Sequence, residues 1–413
     1  LKRRNFLASV AALSLFAPET WAVNKPVKPA ASKPKPKARP KPASTTRKPP
    51  TSKPQAPVVH TADDPTFEKP PQGTSASRLP PVKAPEPPSE WRTYEITTTV
   101  NLKNNGGLNK FWLPLPLNQD TLFQRTLGHT WEGNPGNAGM RRLPDGDLEV
   151  FHCEWPDGAN AKLQIKTRVT TADRHFDVTK RTIAPDRDDI LRRNLQASTQ
   201  IPNDGLAFQL GERILGRIKD PVAQAKAIYD WVVENTIYDA TLPGCGTGDV
   251  RQQLISGQYG GRSADINGLF VSICRAVGIP ARCVYGLRVG PSRLFRSLGI
   301  AGDDSTRGQH VRAEFYIPGY GWIPVDPSDV RRAIAIEGLS DRDSKFLALK
   351  KILFGVWEMN WVAFNVGNDI ILPGQTSTQP FLLLPQLESP NGRLDGTNPS
   401  AFQYTISAKR VEL

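Results

Sequence analysis

The stretch from Gly261 to Arg282 limits what this chain can fold into more than any other. Ile266, Leu269, Phe270, Ile273, Cys274 and Val277 recur at spacings of three and four, the period of one deeply buried helix face. Gly278 supplies a C-terminal cap and Pro280 blocks continuation. Residues 281–289 then read as a buried strand. The loop before the helix, Gly257-Gln258-Tyr259-Gly260-Gly261, is flexible enough to bring backbone close to a ligand.

Around that helix the pattern is mixed. Residues 94–100, 148–151 and 163–169 alternate as strands and are separated by Gly- and Asn-rich turns, so residues 91–175 read as a β-sandwich-like lobe with no obvious chemistry. Residues 176–219 are a polar connection with helical pieces. A helix starts at Asp220-Pro221, with Asp at the N-cap, Pro at the first position, and Ile228, Trp231 and Val232 as its apolar stripe. Val311, Ala313, Phe315 and Ile317 form one arm of a hairpin, Pro318-Gly319-Tyr320-Gly321 its turn, and Trp322 to Asp326 the return. An odd-length loop centred on Gly319 makes His310 and Asp326 diagonal neighbours on one face, which long side chains can bridge.

The first ninety residues have a different chemistry. Residues 1–22 begin with Lys2-Arg3-Arg4, run apolar from Phe6 to Ala17 and end at Thr20-Trp21-Ala22, the pattern of a signal peptide. Arg3-Arg4-Asn5-Phe6-Leu7 fits a twin-arginine export signal, and the apolar run is too short to span a bilayer comfortably. Residues 23–90 hold 18 of the 38 prolines, and Lys alternates with Pro from Lys33 to Lys41. Such a segment cannot bury enough apolar surface to fold and is expected to be a disordered, semi-extended tether. Of the net charge of +13, this tether carries +8 and the first 22 residues +2, which leaves +3 for the remaining 323. The basicity therefore belongs to the tether. A nucleic-acid-binding domain carries its basic footprint on the folded module, so no nucleic acid is expected as a partner. A basic exported tether suits anionic envelope polymers or membrane surface, or serves as a plain solvated spacer. Cys153, Cys245, Cys274 and Cys283 allow three full disulfide pairings, and none has zinc-type spacing. Cys274 lies within the apolar helix pattern and reads as a core residue.

Three segments, in order, resemble the transglutaminase-like superfamily of bacteria. Gly261-Arg262-Ser263-Ala264-Asp265-Ile266-Asn267-Gly268-Leu269-Phe270, continued by Cys274-Arg275-Ala276-Val277-Gly278-Ile279-Pro280-Ala281-Arg282, resembles its nucleophile helix. His310 at the head of a strand and Gly321-Trp322-Ile323-Pro324-Val325-Asp326-Pro327 resemble its histidine and aspartate segments. The core resemblance covers roughly residues 220–330. The stretch 354–361 and the tail to Leu413 are similar to an extension in one bacterial branch. The resemblance implies an α+β fold: a transglutaminase-like, papain-like core with a buried helix packed on an antiparallel sheet, preceded by the β-sandwich-like lobe. Residues 331–413 would be a C-terminal extension packing on that core.

The resemblance also implies roles. Ser263 stands where the family carries its cysteine nucleophile. His310 would be general base and then acid, and Asp326 would fix the imidazole tautomer. A backbone N–H at the helix start would help hold an oxyanion. In the family such a site attacks a carboxamide, forms an acyl-enzyme and passes the acyl group to an amine or to water. A hydroxyl does not ionise near neutral pH as a thiol does, so Ser263 needs concerted proton removal. The chain is then either a Ser-His-Asp hydrolase or acyltransferase acting on peptide or protein amides in the cell envelope, or an inactive domain whose groove serves binding or scaffolding. A third reading assigns glycan or protein recognition to the N-terminal lobe.

Each residue has a plainer role as well. Ser263 suits a helix N-cap, and Asp326 before Pro327 suits a turn. Asp265, in the first helical turn, suits the helix dipole. Arg312 stands where many relatives place a tryptophan; it would meet an anionic substrate group or simply face solvent. Arg282 is expected in a structural ion pair. Cys245 would line the groove, stand in as nucleophile, pair in a disulfide, or sit in a loop, and nothing in the sequence places His310 beside it. Trp357 and Trp361, at helical i, i+4 spacing, read as core. No cofactor is expected, and no run of carboxylates has calcium-loop spacing.

Overall fold

A computed structural model describes residues 88–102, 106–143, 146–158, 160–176, 184–398 and 402–412. The expected signal segment and nearly all of the tether lie outside the described residues, which fall within one compact unit, Ser77–Leu413.

The helix read from the apolar pattern spans Ser263–Ala276, and thirteen of its residues are buried, from Ser263 to Arg275. It is the centre of the main core. One face of it meets a four-stranded antiparallel sheet with spatial order Gly321–Val325, Gln309–Ile317, Ala281–Arg288, Trp361–Asn365. Phe270 packs against Phe315 with ring centroids 6.0 Å apart, and Val311, Ala313, Tyr285 and Val325 complete the contact. The other side is covered by helices Gly205–Leu215 and Pro221–Asn235. The Asp220 carboxylate caps the second of these by accepting the Ala223 N–H at 2.8 Å. The α+β arrangement of a buried helix on an antiparallel sheet is thus present.

The lobe that precedes it is a sandwich of two antiparallel sheets. One has the order Tyr404–Val411, Arg92–Asn101, Lys162–Thr171, Gln124–Gly133; the other has the order Gly392–Leu394, Gln386–Ser389, Asn109–Pro114, Leu148–Trp155, Asn137–Leu143. Phe111, Phe151, Trp155, Ile165 and Phe402 fill the space between them. Residues after 331 therefore divide between the two layers of the molecule. Trp361–Asn365 adds an edge to the core sheet, whereas the last strands complete both sheets of the sandwich. A small cluster of Tyr94, Ile96, Val169, Leu287, Val362, Phe364 and Ile406 packs the sandwich onto the core sheet.

Tyr404–Val411 pairs along Arg92–Asn101 in an eight-residue register, Thr93 opposite Val411 through Val100 opposite Tyr404. Deleting residues 404–411 removes Ile406 and Ala408 from a buried cluster and leaves a long unpaired strand edge. The truncated chain is expected to lose its cooperative thermal transition or to aggregate, as read by circular dichroism on heating and by light scattering. A sharp transition at the native temperature would contradict the pairing.

Candidate active site

His310 and Asp326 meet as the hairpin register requires. Ala313 pairs with Val325, so Asp326 falls opposite Arg312 and diagonal to His310. His310 Nε2 lies 2.7 Å from Asp326 Oδ2. The other carboxylate oxygen, Oδ1, accepts from Ser328 Oγ at 2.7 Å, from the Asp329 N–H at 3.1 Å and from Asn267 Nδ2 at 3.2 Å. Asp326 is also the N-cap of helix Pro327–Glu337. The turn-forming role and the contact with His310 coexist in one side chain.

Ser263 comes to the same place from the central helix. Its Oγ accepts the N–H of Val311, the residue after His310, at 3.2 Å. Its position corrects the N-cap reading: Ser263 is the first helical residue and Arg262 is the cap. Asp265 provides the reason, since its Oδ2 takes the Arg262 N–H at 2.8 Å and releases the serine hydroxyl to face the sheet. Asp265 Oδ1 accepts from the Gly248 N–H at 2.8 Å. The side chain is therefore a clamp between the helix start and the 246–248 loop, beyond a simple dipole effect. Only glycine fits at 246, because a Cβ there would lie 1.7 Å from Asp265 Oδ2 and φ is +88°. The same loop occupies one expected oxyanion donor, for the Ala264 N–H is taken by the Cys245 carbonyl at 2.9 Å.

Cys245 is nearer the site than its sequence position suggests. Its Sγ donates to the Gln309 carbonyl at 3.1 Å. Burial pushes this thiol up from its ordinary range, against a weaker opposing effect from Ser263. All four cysteines are free, so no disulfide forms among them.

Arg312 corrects the solvent-facing expectation, since it is 3% exposed. Its Nε lies 3.6 Å from Asp326 Oδ2, and its guanidinium stacks over Trp361 at 4.7 Å and Trp357 at 5.6 Å. Burial pulls this guanidinium down to about 10, while Asp326 and Asp329 oppose the shift. The two tryptophans are core, but they sit on strands rather than one helix. Trp361 Nε1 donates to the His310 carbonyl at 3.2 Å and Trp357 Nε1 to the Val325 carbonyl at 3.1 Å. Arg282 forms the expected ion pair, 2.6 Å to Glu314.

Two residues escaped the sequence reading. Asn267 lies one helical turn after Ser263, and its Nδ2 reaches the Val311 carbonyl at 2.7 Å, Ser328 Oγ at 3.0 Å and Asp326. It ties the serine helix to both hairpin strands; its buried position among apolar helix residues was the available signal. Asp329 lies 3.5 Å from His310 Nε2 and is paired with Arg288 at 2.5 Å. His310, Asp326 and Asp329 thus offer three ligand atoms within 4.8 Å of one another. Arg288 and Arg312 already compensate these carboxylates, so a metal ion would compete with both guanidinium groups.

His310 is held neutral. Burial lowers its pKa well below the ordinary 6.5, Arg288, Arg312 and Arg332 act in the same direction, and Asp329 opposes them. The neutral ring is the form that accepts a proton. With Nε2 directed at Asp326, Nδ1 is the remaining acceptor.

Two consequences are measurable. An unfolded chain protonates its histidine below about pH 6.5, while the folded site resists, so stability at this residue is complete above that pH and is lost as pH falls toward the lower folded value. Native protein should lose up to about 1.4 kcal/mol per pH unit more steeply than a His310→Phe variant in urea titrations below pH 6.5; parallel slopes would contradict the buried neutral state. Asn267→Ala should cost about 1–3 kcal/mol by the same measurement. Asn267→Asp should cost more, because it sets a second carboxylate against Asp326.

Residues 209–327 match the family model of the transglutaminase-like superfamily. An uncharacterized protein of Haemophilus influenzae is 33% identical over 340 residues, covering 77% of this chain and 91% of that protein. Among solved structures, a candidate cysteine protease from Cytophaga hutchinsonii aligns with a TM-score of 0.45 at 16% identity, covering 78% of this chain and 99% of that one. The periplasmic domain of TgpA from Pseudomonas aeruginosa aligns with a TM-score of 0.31 at 17% identity, over 60% and 93% of the two chains. With its central helix on an antiparallel sheet and the family match across that core, the chain belongs to the transglutaminase-like superfamily.

Proposed function

We propose that this protein is an exported acyl-transfer or amide-hydrolysing enzyme of the cell envelope, with Ser263 as nucleophile, His310 as base and then acid, and Asp326 as the group that orients His310. One observation carries the reading: Asp326 takes His310 Nε2 at 2.7 Å while Val311, the next residue along, holds Ser263 Oγ at 3.2 Å. Attack on a peptide-like amide would transfer the serine proton to His310 as the Oγ–carbon bond forms. His310 would return that proton to the departing nitrogen, leaving a serine ester that water or an amine resolves. Export rests on the signal-like residues 1–22, and no helix among the described residues is long and apolar enough to cross a membrane. The tether of residues 23–90 would hold the domain near anionic envelope polymers.

A second reading, a binding or scaffold protein on the same fold, is favoured by burial. Ser263 is 5% and His310 4% exposed, so the pair reaches substrate only if the neighbouring loop gives way.

Amide turnover separates the two. Purified protein is given a glutamine peptide with a fluorescent amine, and both transfer and released ammonia are followed. Native activity that falls at least about a thousandfold in Ser263→Ala establishes the serine nucleophile. An inert native protein that gains activity as Ser263→Cys assigns the fold to binding, with an intact but silent site.

A further inference from the structure

Beside Ser263 and His310 lies a cavity of about 380 Å3. Three of its wall residues each precede a residue of the site in the chain: Gly244 before Cys245, Arg262 before Ser263, and Gln309 before His310. Cys245 Sγ donates to the carbonyl of Gln309, itself a wall residue, and so ties the cavity wall to the loop beside Ser263. The opposite wall comes from the C-terminal strand region and includes Phe402 and Tyr404. A ligand filling this space lies against the chain neighbours of Cys245, Ser263 and His310, and the side chains themselves are reached once the neighbouring loop gives way.

The chemistry of the wall is one-sided. Arg262 and Arg307 line it, and no aspartate or glutamate does. Arg262 is held in place by the Ala240 carbonyl at 3.1 Å and the Leu242 carbonyl at 2.9 Å, both from Nη1, and by the Tyr238 ring at 5.3 Å. Those contacts leave the other edge of its planar fork for a ligand. Asp239 senses Arg262 and Asp304 senses Arg307. Among the described residues, however, neither arginine makes an ion pair within 4.0 Å. The Gln309 side-chain nitrogen is buried with no acceptor in reach. A buried amide donor without a partner is costly, and a ligand oxygen would relieve it.

We propose that this cavity is a subsite for a carboxylate of an acidic peptide, received by Arg262, Arg307 and Gln309 while the adjoining amide lies toward Ser263. The proposal deepens the reading of Ser263 as nucleophile and rests on it for the chemical step after binding; the binding itself does not require a reactive serine. Two guanidinium groups and an amide donor suit a planar carboxylate, and the aromatic side chains opposite suit the aliphatic part of a peptide.

The test is fluorescence anisotropy of two dye-labelled tetrapeptides, Ala-Glu-Gln-Ala and Ala-Gln-Gln-Ala, both amidated at the C-terminus, against full-length protein. The acidic peptide should bind about tenfold more tightly at low salt, with the advantage shrinking as salt rises. Arg307 is exposed, so Arg307→Ala should fold normally and reduce the advantage to about twofold or less, while Arg307→Lys keeps part of it. Ser263→Ala should retain the full advantage, which separates this outcome from loss of turnover. Equal binding of the two peptides, or no binding of either, overturns the subsite. An advantage that persists in both Arg307→Ala and Gln309→Leu overturns it by placing the anion elsewhere. Competition by acetate and inorganic phosphate as strong as by the peptide overturns the peptide assignment and leaves a general anion site.

Discussion

The Asp326 carboxylate is the junction on which the site depends. It takes bonds from an imidazole, a hydroxyl, a backbone amide and the Asn267 side chain, and it starts the next helix. A buried carboxylate is tolerable only with such a complement of donors. Because the donors come from the central helix, from the hairpin and from the helix that comes after it, satisfying one charge fixes three elements against one another. Ser263 is positioned by the same logic, since Asn267 in its own helix is fastened to the Val311 carbonyl and to Asp326. The cationic side of the network, Arg288 and Arg312, balances Asp326 and Asp329 and keeps His310 uncharged.

Much of this was legible in the chain. The central helix, its glycine cap and the strand after it could be read from apolar spacing because burial imposes a period on residues 263–276. The three-residue hairpin loop placed His310 and Asp326 on one face through strand alternation alone. The illegible part depends on elements distant in sequence. Arg312 is buried only because Trp357 and Trp361 arrive from later strands. Those tryptophans have helical spacing by coincidence, since each is fixed by a different edge of the core sheet. Cys245 reaches the site because a glycine-rich loop folds over the start of the central helix, and loops of that kind carry no periodicity.

The aromatic character of the site is likewise redistributed. A tryptophan two positions after the histidine would have presented its ring from the same strand. Here that position is an arginine, and the rings come from the side, stacked on it. The close approach is possible because Gly286, paired with His310 across the sheet, has no side chain; a Cβ there would lie 2.5 Å from the Trp361 ring. The strand carrying Trp361 therefore lies where the indole nitrogen can hold the His310 carbonyl.

The pairing of Arg92–Asn101 with Tyr404–Val411 has a kinetic meaning. A ribosome delivers the first of these strands long before the second. The sandwich cannot close until nearly the whole described chain has emerged, whereas the helix and hairpin of the core are complete by residue 337. Contacts this remote in sequence form late, after the loop entropy of everything between has been overcome. For most of synthesis the early strands have an open edge, which favours a chain that is shielded until its last strand arrives.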